Sequence, residues 1–117
     1  MDQAPTIEAE ITLLETHEGG RKQAIRPGEV WYRPHIVIGN PSQRHPVVGT
    51  DGVIREAYLG VQFAREPAVI SPGETAQMTM TLIYHPVVNY EAVVPTATFT
   101  IREGGSIVGY GTVTKRS

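Results

Sequence analysis

The chain reads as an all-β protein, a six-stranded antiparallel barrel that is closed or nearly closed. Three observations predict this. Apolar residues recur at every second position in several segments, as they do in half-buried strands. Turn residues interrupt at short intervals, with 12 Gly and 9 Pro in 117 residues. No long segment keeps a helical period. Closure would hide the edges of strands rich in Thr and Val, which otherwise pair with other chains. A two-sheet sandwich is the alternative arrangement.

The elements follow in order. Ile7, Ala9, Ile11 and Leu13 alternate with Glu8, Glu10 and Thr12, a strand with its acids outward. Glu18-Gly19-Gly20 predicts a tight hairpin turn, since Gly accepts positive φ. Arg26-Pro27-Gly28-Glu29 predicts another turn. Trp31 to Ile38 is the second strand, and Pro34 argues for an edge or a bulge there. Between Asn40 and Glu56 the signals are those of turns and loops, with Asp51-Gly52 as the tip of a small hairpin between Val47-Val48 and Val53-Ile54. Tyr58 to Phe63 is the third strand, and Pro72-Gly73 turns the chain.

Ala76, Met78, Met80, Leu82 and Tyr84 then share one face, alternating with Gln77, Thr79 and Thr81. Met78 and Met80 on that face read as core, although Met also suits adaptable partner surfaces. Thr96 to Arg102 is the fifth strand. Ile107 to Thr114 is the sixth, and Gly109 and Gly111 within it allow another backbone to approach closely. Of the neighbours Trp31 and Tyr32, one is expected in the core and the other on the surface.

Length and composition bound the function. A chain of 117 residues makes one domain, and it buries about two-thirds of its unfolded surface without staples. There is no Cys, which excludes disulfides and thiolate metal sites. Met1-Asp2-Gln3-Ala4-Pro5 has neither the basic nor the apolar region of a signal peptide, and no apolar run reaches the roughly 18 residues of a membrane span. The expectation is a soluble, cytoplasmic protein without a membrane partner. The 10 Lys and Arg are outnumbered by 12 Asp and Glu, for a net charge of −2. Nucleic-acid binders draw most of their affinity from phosphate contacts, so any such site here would be a local patch.

No constellation points to catalysis. His17, His35, His45 and His85 lack metal-ligand spacing and read as surface or turn residues. Ser42, Ser71 and Ser106 lack the context of an activated nucleophile. Glu8, Glu10 and Glu15 read as a solvated face that keeps a strand edge soluble. No catalytic, metal or cofactor residue is assigned.

Four blocks remain: Ala9-Glu10-Ile11 through Glu18-Gly19-Gly20-Arg21; Tyr32-Arg33-Pro34 with the strand after it; Pro72-Gly73-Glu74 through Leu82-Ile83 and His85-Pro86; and Phe99 through Val113 around Arg102-Glu103-Gly104-Gly105. In this order they resemble the third, C-terminal β-barrel domain of elongation factor Tu, and the resemblance covers most of the chain. It implies a six-stranded barrel. In the full factor that barrel contacts the T-stem of aminoacyl-tRNA, docks on the GTPase domain and takes part in binding the nucleotide-exchange factor. Carried over by residue, the implied tRNA contacts are Arg102, Gly104 and Gly105, with Arg21 and Arg33 as further candidates. Arginine and turn N–H groups are suitable donors to phosphate.

The chain departs from the pattern. Ser106 and Thr98 stand where the family typically has Arg, which depletes the cationic patch. Tyr84 is extra, the loop Val87 to Pro95 is long, and Asn40 to Ala57 resembles an insertion. Long loops on a rigid barrel are where new partners are recognised. There is no Gly-x-x-x-x-Gly-Lys-Ser/Thr, so GTP binding by this chain alone is not expected. The chain enters its first strand almost at once, which predicts a stand-alone domain.

The expected function is a non-catalytic, translation-related binding module that contacts tRNA or another translation component. The alternative is a repurposed protein-interaction domain that uses 40–57 and 87–95 and has no RNA role. Charge placement discriminates. Convergence of Arg21, Arg33 and Arg102 favours RNA, whereas dispersal or pairing of each to a Glu favours protein.

Overall fold

The computed structural model describes residues 4–29 and 31–117. The alternating segment at the start forms β1, Thr6–Leu13, with Ile7, Ala9, Ile11 and Leu13 buried and Glu8 and Glu10 exposed. The later strands are β2, His35–Ile38; β3, Leu59–Gly60; β4, Gln62–Phe63; β5, Thr75–Thr81; β6, Thr98–Glu103; and β7, Ser106–Arg116. They form one sheet in the order β3-β2-β6-β7-β1-β5-β4, antiparallel at every pairing.

The seven segments amount to six runs of chain. Only Val61 separates β3 from β4, so the two ends of the sheet are halves of one extended run, 59–63. Its first half pairs with β2 and its second half with β5, which closes the barrel. The predicted third strand is therefore present but divided. Tyr90, Val93, Phe99, Met80 and Ile36 meet in the buried interior.

Three elements differ from expectation. Glu18-Gly19-Gly20 does not join two strands of a hairpin. Instead Thr16–Glu18 forms one 3-10 turn, ended by Gly19 at φ 93°, a conformation that favours glycine. The second strand shortens to His35–Ile38. Tyr32 and Pro34 still accept hydrogen bonds from Phe63 N (3.0 Å) and Val61 N (3.1 Å), but proline has no N–H to return one, so the ladder there is one-sided. The fourth strand ends at Thr81, and Tyr84 leaves the buried face for the surface.

The glutamates of β1 do not protect an edge, because β1 lies between β5 and β7 in the middle of the sheet. Its approach to β7 is close. A Cβ added at Gly111 would lie 2.6 Å from Glu10 O and 2.7 Å from Phe99 Cζ, and one at Gly109 would lie 2.7 Å from Thr12 O. Met78 and Met80 are core, as the alternation predicts. Tyr32 packs edge-on against Phe63 with ring centroids 4.9 Å apart, while Trp31 stays exposed.

Candidate functional site

The β6–β7 hairpin is the natural place to begin. Glu103 faces Ser106 across a two-residue turn, with Gly104 at φ 59° and both Gly104 and Gly105 exposed. Neighbouring residues on a strand point to opposite faces. Arg102 and Glu103 therefore leave β6 on different sides, and each has found a partner.

Arg102 is not a surface cation, contrary to its expected tRNA-facing position. Its exposure is 0%, because segment 40–57 closes over the outer face of β6 and β7. The guanidinium forks onto Glu56, with NH1 donating to Oε1 at 2.7 Å and NH2 to Oε2 at 3.0 Å. NH1 also donates to Tyr58 OH at 3.1 Å, and Nε donates to Thr100 Oγ1 at 2.9 Å. Gln43 Nε2 holds Glu56 Oε2 from the far side at 2.7 Å. Bonding to Arg102 is the main reason the Glu56 carboxyl is held at about 2 rather than 4.5, and it outweighs the opposing effect of burial. Burial works against the charge on Arg102, but Glu56 and Tyr58 more than offset it and raise its pKa.

The covering segment has further anchors. Arg44 lies over Tyr110 of β7, 5.3 Å from its ring centre, and donates to the Pro41 and Gln43 carbonyls. The expected hairpin at Asp51-Gly52 forms, with Gly49 N donating to Val53 O (2.8 Å) and Arg55 N to Val47 O (2.9 Å). Its Ile54 rests near Gly105.

On the opposite side of β6, Glu103 accepts from both Arg21 NH1 and Tyr32 OH. Burial, and then the adjacent carboxylate, push the Tyr32 hydroxyl pKa up. Beside this cluster is a cleft of about 510 Å³ bounded by Arg21, Gln23, Arg26 and Tyr32. Arg33 stands apart from both groups, over the Trp31 ring and bonded to Gln62. The three candidate arginines are thus dispersed, and two are each paired to a glutamate.

What the structure does bring together is the pair of long loops. A cleft of about 450 Å³ has Val37, Ile38 and Leu59 of the barrel on one side. Gln43, Arg55, Glu56 and Ala57 from the first loop and Asn89 and Ala92 from the second complete it. Loop 87–95 is fixed from within by the buried Tyr90, whose OH donates to Gly60 O at 2.7 Å, and by the buried Val93. The first loop leaves Val47, Val48 and Val53 exposed, and the second Val87 and Val94, with Val87 at 92%.

Elsewhere, Glu15, His17 and Glu18 each bring one ligand-capable atom within 4.8 Å of the others on the 3-10 turn. All three are exposed, and His17 Nδ1 is 3.1 Å from Glu15. Among the described residues no helix is long and apolar enough to cross a membrane.

Glu56, Tyr58 and Gln43 were not singled out from sequence. Their only local signal is that Thr100 and Arg102 sit on the outward positions of β6, where a buried Arg needs an acid from elsewhere in the chain.

The architecture defines a class first: a closed antiparallel barrel whose strands carry two long loops. The comparisons then give the family. A profile of the Elongation factor Tu C-terminal domain matches residues 1–116, and the chain belongs to that family. It is 38% identical over 106 residues to Elongation factor Tu 2 of Streptomyces avermitilis, an alignment covering 91% of this chain and 21% of that protein. The chain therefore spans about a fifth of the length of this curated relative.

Proposed function

We propose that this chain is a non-catalytic, cytoplasmic binding module of translation that engages a protein partner, through the surface formed by 40–57 and 87–95, rather than the backbone of tRNA. The observation that carries this reading is the closure of 40–57 over the β6–β7 hairpin. The Arg102 guanidinium is spent inside the fold on Glu56, and Arg21 is spent on Glu103. Thr98 and Ser106 add no charge nearby. A phosphate backbone needs several accessible cations at once, and this hairpin offers none of the three proposed for it together. The translational setting is supported by the family. The absence of a phosphate-binding Gly-x-x-x-x-Gly-Lys-Ser/Thr in the sequence supports a role without GTP.

A titration of fluorescent aminoacyl-tRNA and deacylated tRNA at two salt concentrations tests the reading. The expected result is no saturable binding at low salt. Micromolar binding that weakens as salt rises would overturn it. A photo-crosslinking side chain at Val48 or Val87 is expected to capture a protein, and one at Glu8 on the outer face of β1 is not. Equal capture from all three positions would remove the loops from the proposal.

A further inference from the structure

We infer that Trp31 and Arg33 form a second, preorganised anchor, built to take a carboxylate side chain flanked by an apolar residue on an extended segment of a partner protein. The inference rests on the reading that the partner is a protein, and adds where one of its acids is held.

The anchor follows from local chain geometry. Residues 31 and 33 lie two apart on an extended stretch, so their side chains share a face. Tyr32 O accepts from Phe63 N and Pro34 O from Val61 N, which sets Arg33 opposite Gln62 on the neighbouring run. Gln62 Oε1 accepts from Arg33 Nε at 3.1 Å. The guanidinium then lies over the indole of Trp31, 4.6 Å from its ring centre. Two contacts fix the plane of a side chain that is otherwise mobile, and the entropy of ordering it is already spent before a partner arrives.

The chemistry of the missing partner can be read from what this cluster lacks. Among the described residues, Arg21, Arg26, Arg55 and Arg102 each have a carboxylate within 4.0 Å, whereas Arg33, like Arg44, Arg65 and Arg116, has none. Its hydrogen-bond partner is a neutral amide taken up by Nε, and its two terminal nitrogens carry no hydrogen bond among the described residues. Those two nitrogens form the fork that receives a carboxylate in two parallel bonds. Beside it, Trp31 is 69% exposed, a large apolar surface without a cover. Trp and Arg together are the residue types that most often anchor protein interfaces. A single fork meets one carboxylate well, whereas a polyanion needs several such sites. The net charge of −2 also disfavours a polyanionic partner.

The test is selection of a phage-displayed random dodecapeptide library on the immobilised full chain, with counter-selection on Arg33→Ala. Arg33 is exposed, so the variant is expected to fold, and circular dichroism checks this. The expected result is a consensus with Asp or Glu beside an aliphatic or aromatic residue. The matching synthetic peptide should change the emission of Trp31, the sole indole of the chain. Its affinity should fall on the order of tenfold or more in Arg33→Ala, and measurably in Arg33→Lys, which keeps the charge and loses the fork. A consensus without acids, or peptides that bind Arg33→Ala equally well, would overturn the inference. So would Trp31 quenching by labelled oligouridylate that is lost in Arg33→Ala. Crosslinking from Val48 and Val87 that persists in Arg33→Ala with no acidic consensus would remove this anchor and leave the loop surface standing.

Discussion

Replacing Glu56 by Gln is the sharpest perturbation of the cover over β6 and β7. The substitution keeps the shape and removes the charge that compensates a fully buried guanidinium. Two estimates of the loss agree. Holding the carboxyl at about 2 instead of 4.5 corresponds to about 3 kcal/mol in favour of the folded state. Breaking a buried ion pair on one side costs roughly 3–5 kcal/mol, because the remaining charge stays desolvated. The pKa is lowered on folding, so the stabilisation is complete well above 4.5, declines as pH falls below that value, and is gone below about 2. Urea unfolding followed by circular dichroism should place Glu56→Gln about 3 kcal/mol below the parent at pH 7. The gap should shrink to about 1.4 kcal/mol at pH 3. Adding Arg102→Met to a Glu56→Leu background should recover much of the loss, since apolar replacement of both partners removes the unpaired charge. A difference of less than about 0.5 kcal/mol at neutral pH, or one that acid leaves unchanged, would refute this account of the segment.

Other outcomes are expected from the same unfolding measurement. Gly111→Ala should cost about 2 kcal/mol or more, since its Cβ would sit 2.6 Å from a backbone oxygen that cannot yield without parting β1 from β7. Tyr90→Phe should cost roughly 1–2 kcal/mol, by leaving the buried Gly60 carbonyl without its donor and removing the acceptor for Tyr84 N. Gly73→Ala should cost about 1–2 kcal/mol, because φ at 88° is strained for any residue with a Cβ. Arg21→Ala, by contrast, should cost less than about 1 kcal/mol, since its pair with Glu103 is only partly buried and solvent screens it.

The strands that could be read from sequence are those with a period of two and one wet face. β1 and β5 are of this kind, and so are the glycines that let β1 and β7 touch. Pro34 correctly marked a disturbance in the second strand but not its extent, which depended on how few N–H groups that strand itself returned to the neighbouring run. The 3-10 turn at Thr16–Glu18 escaped because Glu-Gly-Gly is equally compatible with a tight hairpin. The burial of Arg102 was the least legible feature. Alternation assigned this residue to the outer face correctly, yet the outer face of β6 is covered by a segment more than forty residues earlier in the chain, whose Glu56 pairs with it. Nothing local to either residue announces that pairing. Trp31 and Tyr32 separated as expected, because only Tyr32 has an aromatic neighbour inside, Phe63.

The position of β1 has a consequence for how the chain is made. β1 is bonded on one side to β5 and on the other to β7, whose last paired residue is Arg116. A ribosome therefore releases β1 well before its second neighbour. Until residues 106–116 emerge, β1 holds a line of unmatched amides and carbonyls beside its glutamates. Exposed Glu8 and Glu10 are then well placed for a different duty, keeping a temporarily unfinished strand from joining another nascent chain. Final closure waits for contacts between residues more than a hundred positions apart, so acquisition of the native state should be slow and nearly all-or-none.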